Sequence, residues 1–117
     1  MKILIVDDSV FMRTVLRGIL LKTRYKDAEV TEASNGEEAI EKYRAEKPDL
    51  MLLDIIMPGK DGIAVLKELG DLASPVIIIS SVDQGQVIDE AKSLGAKGYI
   101  VKPYEADQVI EILNSLF

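Results

Sequence analysis

Two patterns of hydrophobic residues alternate along this chain. Short runs of almost exclusively apolar, mostly branched residues occupy positions 3–6, 50–53 and 99–101. Between these runs, apolar residues recur at every third or fourth position, as at Met12, Leu16 and Ile19. The runs are typical of strands buried on both faces of a parallel sheet, and the wider spacing predicts amphipathic helices. The pattern therefore predicts strands and helices that alternate from end to end.

We predict five strands, each followed by a helix. The strands are predicted at residues 2–7, 28–33, 50–54, 75–80 and 98–101. The first helix begins near the cap residue Ser9 and the second near the cap residues Ser34 and Asn35, and the others are predicted at 63–69, 84–94 and 105–117. Such crossovers require a parallel sheet with right-handed connections and helices on both faces. The predicted fold class is α/β, a doubly wound five-stranded parallel sheet, in a single domain over residues 1–117.

Polar residues end four of the predicted strands. Asp7 and Asp8 end the first, Asp54 the third, Ser80 the fourth and Lys102 the fifth. Because the carboxyl ends of parallel strands line one crevice in an open α/β sheet, we expect these groups to converge. Taken alone, the paired acids are equally well explained as a helix cap beside a solvated acid, and the lysine as a surface residue before a turn.

The chain contains no cysteine and no histidine. The first absence excludes disulfides, thiolate nucleophiles and zinc–thiolate sites, and we expect a reducing cytoplasm as the location. The second excludes an imidazole base, an imidazole metal ligand and a phosphohistidine, and with them triad hydrolase chemistry. Any metal must be held by oxygen, which indicates a hard cation such as Mg²⁺.

The formal net charge is −6. Nucleic acids and anionic membranes are bound through clustered Lys and Arg, so this charge disfavours both as direct partners. No apolar stretch approaches the length of a membrane span, and the first residues enter a strand at once instead of forming a signal peptide. We therefore expect no direct nucleic-acid partner and no membrane insertion.

The converging groups suit phosphoryl transfer. Crowded carboxylates repel one another, and a bound divalent cation relieves that repulsion. Lys102 is a compact cation that could balance an anion delivered to the same place, and the Ser80 hydroxyl could bond a phosphoryl oxygen. A carboxylate left free beside the cation could then act as the nucleophile.

The whole chain resembles the receiver domains of two-component response regulators, in particular the stand-alone, CheY-like chemotaxis regulators. The resemblance covers residues 2–117 and is carried by the segments 5–9, 52–62, 77–81, 95–99 and 101–103. It implies a flavodoxin-like (βα)₅ fold with strand order 2-1-3-4-5, between two helices on one face and three on the other.

The resemblance also implies roles for the acids. Asp54 would accept a phosphoryl group from a phosphohistidine on a CheA-like sensor histidine kinase. Asp8, Asp54 and the backbone carbonyl of Ile56 would bind Mg²⁺ directly, and Asp7 would reach it through water. Since the chain has no histidine of its own, it would only receive the phosphoryl group.

Three further residues acquire roles from the resemblance. Lys102 would pair with the incoming phosphoryl group, Ser80 occupies the conserved hydroxyl position, and Tyr99 occupies the aromatic switch position. If Ser80 moves to bond the phosphoryl group, Tyr99 can turn inward and reshape the surface of the fourth helix, fifth strand and fifth helix. Without the resemblance, Tyr99 would be a half-buried strand tyrosine with its hydroxyl in water.

Two apolar features refine the expected function. Ile56 and Val82 stand where this family tunes the lifetime of the phosphoryl group, and we expect them to restrict attacking water. The last helix has an apolar face wider than packing on a sheet requires. Either the helix is deeply set, or Ile112, or Ile110 with Phe117, borders an apolar partner surface that also includes the switch tyrosine.

The leading hypothesis is a single-domain signalling phosphoprotein that is not an enzyme beyond its own phosphorylation and dephosphorylation. Because the chain leaves no room for an effector domain, we expect it to act as a monomer or weak dimer on an output protein, such as a motility switch component in chemotaxis. A phosphorelay intermediate that passes phosphate from Asp54 to a histidine phosphotransferase is an alternative. An excised receiver of a DNA-binding regulator is a third possibility.

Two enzyme or carrier classes share parts of this pattern. Aspartate-nucleophile metal phosphatases place a second acid two residues after the nucleophile, and here that residue is Ile56. Flavin-binding electron carriers share the architecture but use a phosphate loop rich in Ser, Thr and Gly. The first turn here begins with Asp7 and Asp8 instead, so both classes are disfavoured.

Overall fold

Five strands and five helices alternate in the computed structural model of the protein, which describes residues 1–117. The strands are β1 (Lys2–Val6), β2 (Glu29–Ala33), β3 (Leu50–Leu53), β4 (Val76–Ser80) and β5 (Gly98–Val101). The helices are α1 (Val10–Leu21), α2 (Gly36–Glu46), α3 (Gly62–Leu69), α4 (Gly85–Ser93) and α5 (Ala106–Leu116). Every predicted element is present, and each predicted bound lies within one residue of the observed one.

The strands form one parallel sheet in the order β2-β1-β3-β4-β5, as expected. The inner strands β3 and β4 are buried along their whole length, and β1 is buried from its second residue onward. The edge strands β2 and β5 keep residues in partial contact with solvent. Burial on both faces explains why the inner strands are uninterrupted aliphatic runs.

The sheet separates two hydrophobic cores. Residues such as Leu4 and Leu53 face the helices α2, α3 and α4, while Ile3 and Leu52 face α1 and α5. Alternate residues of a strand point to opposite faces, so each inner strand contributes to both cores. Each fully buried aliphatic side chain contributes about 1.5–3 kcal/mol, which makes this double burial the main source of stability.

Side chains cap the first two helices, which begin at the carboxyl edge of the sheet. The hydroxyl of Ser9 accepts from the Met12 backbone N–H at 3.3 Å, and the Asn35 side chain accepts from Glu38 at 2.8 Å. Both caps were predicted. The cap on α1 starts that helix directly after the acid pair.

The longest helix has 12 residues, and no helix could span a membrane.

Helix α5 buries only part of its apolar face. Val109 and Leu113 lie in the core, whereas Ile112 is partly buried and packs over Gly98 of β5. A Cβ at Gly98 would lie 2.8 Å from Ile112 Cδ1, so the absent side chain makes room for this contact. Phe117 is 45% exposed. Burial against the sheet therefore explains Val109 and Leu113, and a partner surface at Ile112 stays a prediction.

Candidate functional site

The acids of the first and third strands meet at one edge of the sheet. Val6 pairs with Leu53, so Asp7 and Asp54 leave neighbouring strands side by side. The backbone N–H of Asp54 donates to the Val6 carbonyl at 3.0 Å, which continues the ladder to this point. One carboxylate oxygen from each of Asp7, Asp8 and Asp54 lies within 4.8 Å of the others. The expected convergence of the three acids is therefore observed.

Lys102 reaches the same cluster from the edge strand β5. Its backbone N–H donates to the Ser80 carbonyl at 2.9 Å, which holds it beside the end of β4. Its Nζ lies 2.7 Å from Asp7 Oδ2 and 3.2 Å from Asp54 Oδ2. The following peptide bond, to Pro103, is cis. The lysine thus bridges two carboxylates that the sheet places next to each other.

Burial and charge act in opposite directions on the site's ionisable groups. Burial raises the pKa of Asp54 above its ordinary value, the charge of Asp7 adds to this rise, and Lys102 and the Ser80 hydroxyl oppose it. Burial lowers the pKa of Lys102, but its bond to Asp7 and the charge of Asp54 outweigh burial and leave that pKa raised. The lysine is therefore charged at neutral pH, beside a carboxylate whose charged form is disfavoured.

The donors at this edge fit a hard divalent cation. Asp7 and Asp54 are 2% and 6% exposed, while Asp8 is exposed, so the cluster is buried on one side and open on the other. Carboxylate oxygens are ligands that Mg²⁺ prefers. The backbone N–H of Ile56 donates to Asp54 Oδ1 at 3.2 Å, which places the Ile56 backbone at the site. The Ile56 side chain is 54% exposed at its rim.

Ser80 and Tyr99 are connected through Val82. Ser80 is fully buried at the end of β4, and its hydroxyl accepts from the Val82 N–H at 3.3 Å. The Tyr99 hydroxyl donates to the Val82 carbonyl at 2.6 Å, and burial raises the pKa of Tyr99. The interpretation of Tyr99 as a strand tyrosine with its hydroxyl in water is therefore wrong. The ring of Tyr99 instead joins β5 to the segment that leads into α4.

Gly62 allows helix α3 to begin against the backbone of Asp54, which the sequence did not indicate. It is the first residue of α3. Its N–H donates to the Ile55 carbonyl at 2.8 Å, and a Cβ at this position would lie 2.4 Å from the Asp54 carbonyl oxygen. Only a residue without a side chain allows α3 to begin directly against the backbone of Asp54.

An apolar cleft of about 580 Å³ borders the site between α1 and the segment after β5. Phe11, Met12 and Val15 line one side of it, and Pro103 and Tyr104 line the other. Phe11 is 73% exposed, and the Tyr104 hydroxyl is buried without a hydrogen-bond partner. Helical spacing predicts the inward stripe of α1, but gives no indication that Phe11 and the turn after Lys102 enclose a cleft.

The model of the response regulator receiver domain family matches residues 3–114 of the chain. The protein belongs to this family. Within it, the chain is similar to the chemotaxis protein CheY of Bacillus subtilis (strain 168), with 44% identity over 115 residues that cover 97% of this chain and 94% of that one. The protein is thus a CheY-like receiver domain.

Two further similarities bear on function. A chain of the CheX-CheY-BeF3-Mg complex from Borrelia burgdorferi superposes with a TM-score of 0.90 and 36% identity, covering 99% of this chain and 88% of that one. The sporulation initiation phosphotransferase F of Bacillus subtilis (strain 168) is 38% identical over 110 residues, which cover 92% of this chain and 86% of that one. The chain is thus similar over most of its length both to a chemotaxis protein and to a sporulation phosphotransferase.

Proposed function

We propose that the protein is a phosphorylation-controlled switch in which Asp54 accepts a phosphoryl group from a phosphohistidine of a sensor histidine kinase. The observation that carries this proposal is the Lys102 ammonium, which lies 2.7 Å from Asp7 and 3.2 Å from Asp54 within a cluster of three carboxylates. A cation beside a buried carboxylate suits the arrival of a dianionic group. Membership of the receiver family supports the same reaction.

Mg²⁺ fits the proposed site as its metal. Asp8, Asp54 and the backbone carbonyl of Ile56 would hold it directly, and Asp7 would do so through water. When bound, the cation relieves the repulsion among the acids and neutralises charge on the phosphoryl oxygens. The raised pKa of Asp54 supports this, because it shows that the free cluster disfavours one of its own charges.

The chain's own residues would carry the transfer. A carboxylate oxygen of Asp54 attacks phosphorus while the bond from phosphorus to the donor's imidazole nitrogen breaks, and that nitrogen keeps the electron pair. Lys102 then turns from the carboxylates to a phosphoryl oxygen, and the Ser80 hydroxyl donates to another. Water later hydrolyses the aspartyl phosphate. The protein would catalyse only these reactions of its own side chain.

The proposed output is a change at the surface of α4, β5 and α5. Movement of Ser80 toward the phosphoryl group would alter its contact with Val82, to which Tyr99 is also bonded. Tyr99 and Ile112 line one shallow cleft between β5 and α5, which would serve as the partner surface. The name of the B. subtilis relative supports a role in chemotaxis, with a motility switch component as the partner, a CheA-like kinase as the donor and the cytoplasm as the location. We further propose that residues 1–117 act as one receiver domain.

Mass spectrometry tests the phosphoacceptor. Incubation with a small acyl phosphate and Mg²⁺ should add one phosphoryl group, located at Asp54. The Asp54→Asn variant should gain none, and Asp49→Asn, which alters an exposed acid at the opposite end of β3, should react like the wild type. A wild-type protein that forms no adduct, or forms it at another residue, would contradict the proposal.

A phosphorelay intermediate is the second candidate, favoured by the 38% identity with sporulation initiation phosphotransferase F. A pull-down with and without beryllofluoride and Mg²⁺, together with an assay of phosphate transfer from the labelled protein, separates the two. A switch should retain its output protein only with beryllofluoride, whereas a relay protein should donate labelled phosphate to a histidine phosphotransferase.

A metal phosphatase would instead turn over a small phosphomonoester many times. Because Ile56 stands in place of the second acid of such enzymes, we expect this protein to show no such turnover.

A further inference from the structure

Arg13 joins the acid pair after β1 to the neighbouring strand β2. Its Nη1 donates to the Asp7 backbone carbonyl at 2.6 Å, and its Nε donates to Glu32 Oε1 at 2.7 Å. Only 13% of the Arg13 side chain is exposed, so solvent competes little with either bond. A guanidinium is planar and its donors have a fixed arrangement. Arg13 therefore holds the Asp7 carbonyl in a fixed relation to the Glu32 carboxylate.

Glu32 is a charged anchor that two arginines share. Its second oxygen, Oε2, accepts from Arg17 Nη2 at 2.6 Å and from Arg17 Nε at 3.0 Å. The bond from Arg17, and that from Arg13, lower the pKa of Glu32 against the opposing effect of burial. Arg17 also donates to the Val30 carbonyl at 3.3 Å. The two arginines thus share an anchor, but only Arg13 contacts the acid pair.

The carbonyl that Arg13 holds belongs to the peptide between Asp7 and Asp8. Because a peptide group is planar, the direction of this carbonyl also fixes the direction in which the chain enters Asp8. Asp7 is buried and Asp8 is exposed, so the chain passes from the sheet to the surface at this peptide. A rotation of the peptide would move the two carboxylates relative to each other.

We propose that Arg13 is a positioning residue of the cation site, which holds the Asp7–Asp8 peptide in the orientation that brings both carboxylates together with Asp54. The inference rests on the proposed function, because it concerns the same Mg²⁺ site. Simple electrostatics predicts the opposite effect: removal of a positive charge near three carboxylates should strengthen cation binding. Weaker binding after loss of Arg13 therefore reports positioning and not charge.

Calorimetric titration with Mg²⁺ tests this, using wild type, Arg13→Gln and Arg17→Gln as the matched control. We expect Kd to rise about tenfold in Arg13→Gln, as for groups that orient metal ligands, and to stay within about twofold of wild type or fall in Arg17→Gln. Both variants lose hydrogen bonds to Glu32, so urea unfolding without Mg²⁺ should show a loss of stability in both, and a larger one in Arg13→Gln, which also loses the bond to the Asp7 carbonyl. An unchanged or lower Kd in Arg13→Gln, or an equal rise in both variants, overturns the inference.

The Arg13→Lys variant keeps the charge and serves if Arg13→Gln does not fold. One ammonium cannot reproduce the fixed fork of donors, so Kd should still rise severalfold, and a wild-type Kd would overturn the inference. The wild-type titration distinguishes failure of the proposed function from failure of this inference. A wild-type protein that binds no Mg²⁺ removes the proposed function and the inference together. Normal wild-type binding with unchanged Arg13 variants removes the inference alone.

Discussion

At the scale of single residues, Asp54 is held in an environment that disfavours its own charge. The carboxylate is nearly buried, and its pKa is raised by burial first and by the charge of Asp7 as well. Lys102 and Ser80 offset this only in part. A group kept in such a state stores free energy that a bound cation or a phosphoryl group can release, which is a common property of functional sites.

Replacing Asp54 by Asn should stabilise the protein in the absence of Mg²⁺. A raised folded pKa means that the folded state holds its proton more tightly, so stability falls as pH rises above the unfolded value of about 3.8. We expect Asp54→Asn to be more stable than the wild type at neutral pH, with the gain vanishing below pH 3.8. Urea unfolding in EDTA across this pH range measures the difference.

The exposed acid Asp89 of α4 provides the control for this experiment. Asp89→Asn should show no gain that grows with pH. Added Mg²⁺ should stabilise the wild type more than Asp54→Asn, because it binds the folded site of the wild type more tightly. A variant less stable than wild type at every pH would show that the pairing of Asp54 with Lys102 outweighs its burial.

Replacing Ile56 by Asn should shorten the lifetime of the phosphoryl group severalfold. Ile56 lies at the rim of the site with its backbone bonded to Asp54 and its side chain half in solvent. An amide there can hold and orient an attacking water, which an apolar side chain cannot. The loss of the mass adduct after removal of the donor measures the rate. Ile56→Val, which stays apolar, should decay like the wild type, and equal rates in all three proteins would refute the prediction.

Residue type at a strand end predicted the positions of the acids and the lysine, but not the hydrogen bonds that Arg13 and Tyr99 make around them. Asp7, Asp54 and Lys102 could be identified because the end of a parallel strand fixes where a side chain lies. The bond from Arg13 to Glu32 depends on how far a long side chain reaches across to β2, and the bond from Tyr99 depends on the path of the backbone at Val82. Neither follows from spacing along the chain.

At the scale of elements, α3 begins directly against the backbone of Asp54. Gly62 lies against the carbonyl of Asp54, and its N–H bonds the Ile55 carbonyl. The Asp61 side chain caps the helix by accepting from Ala64 at 2.8 Å. These contacts fix the backbone that follows Asp54, so α3 supports Asp54 without contributing a side chain to it.

A Cβ at Gly62 should therefore disturb both the fold and the site. In Gly62→Ala the new carbon would lie 2.4 Å from the Asp54 oxygen and 2.9 Å from Ile55 Cα, which forces the backbone apart. We expect a loss of about 1–3 kcal/mol in urea unfolding, and slower formation of the Asp54 adduct. Gly85→Ala is the matched control, since Gly85 is also the first residue of its helix and has open space around it. Equal stabilities of the two variants would contradict this account.

Element bounds were predicted well because local signals mark them. Ser9 and Asn35 cap their helices, and the aliphatic runs end where the buried strands end. The depth to which each helix is buried was harder to predict, as α5 shows. Periodicity detects an apolar face but cannot tell whether Ile112 faces the core, the edge strand or a partner. That difference depends on the neighbour, here the absent side chain of Gly98.

At the scale of the whole molecule, the strand order decides which residues meet. Alternating strands and helices predict a parallel sheet with right-handed crossovers, but several strand orders satisfy those rules. The order 2-1-3-4-5 came from the family resemblance, and the observed order agrees with it. It places β1 beside β3, which brings the acids together, and leaves β5, which carries Tyr99, at an edge of the sheet.

The Tyr99 hydroxyl should carry the signal from Asp54 to α4. Tyr99→Phe keeps the ring but removes the bond to Val82, so the phosphoryl site stays intact while β5 is released from the segment before α4. We expect beryllofluoride and Mg²⁺ to change amide hydrogen exchange in α4 of the wild type, and to change it much less in Tyr99→Phe, with equal adduct formation at Asp54. Tyr43→Phe is the matched control, because that hydroxyl also donates to a backbone carbonyl, at 2.9 Å, but on Ser74. If Tyr99→Phe responds like the wild type, the coupling runs through Ser80 and the backbone alone.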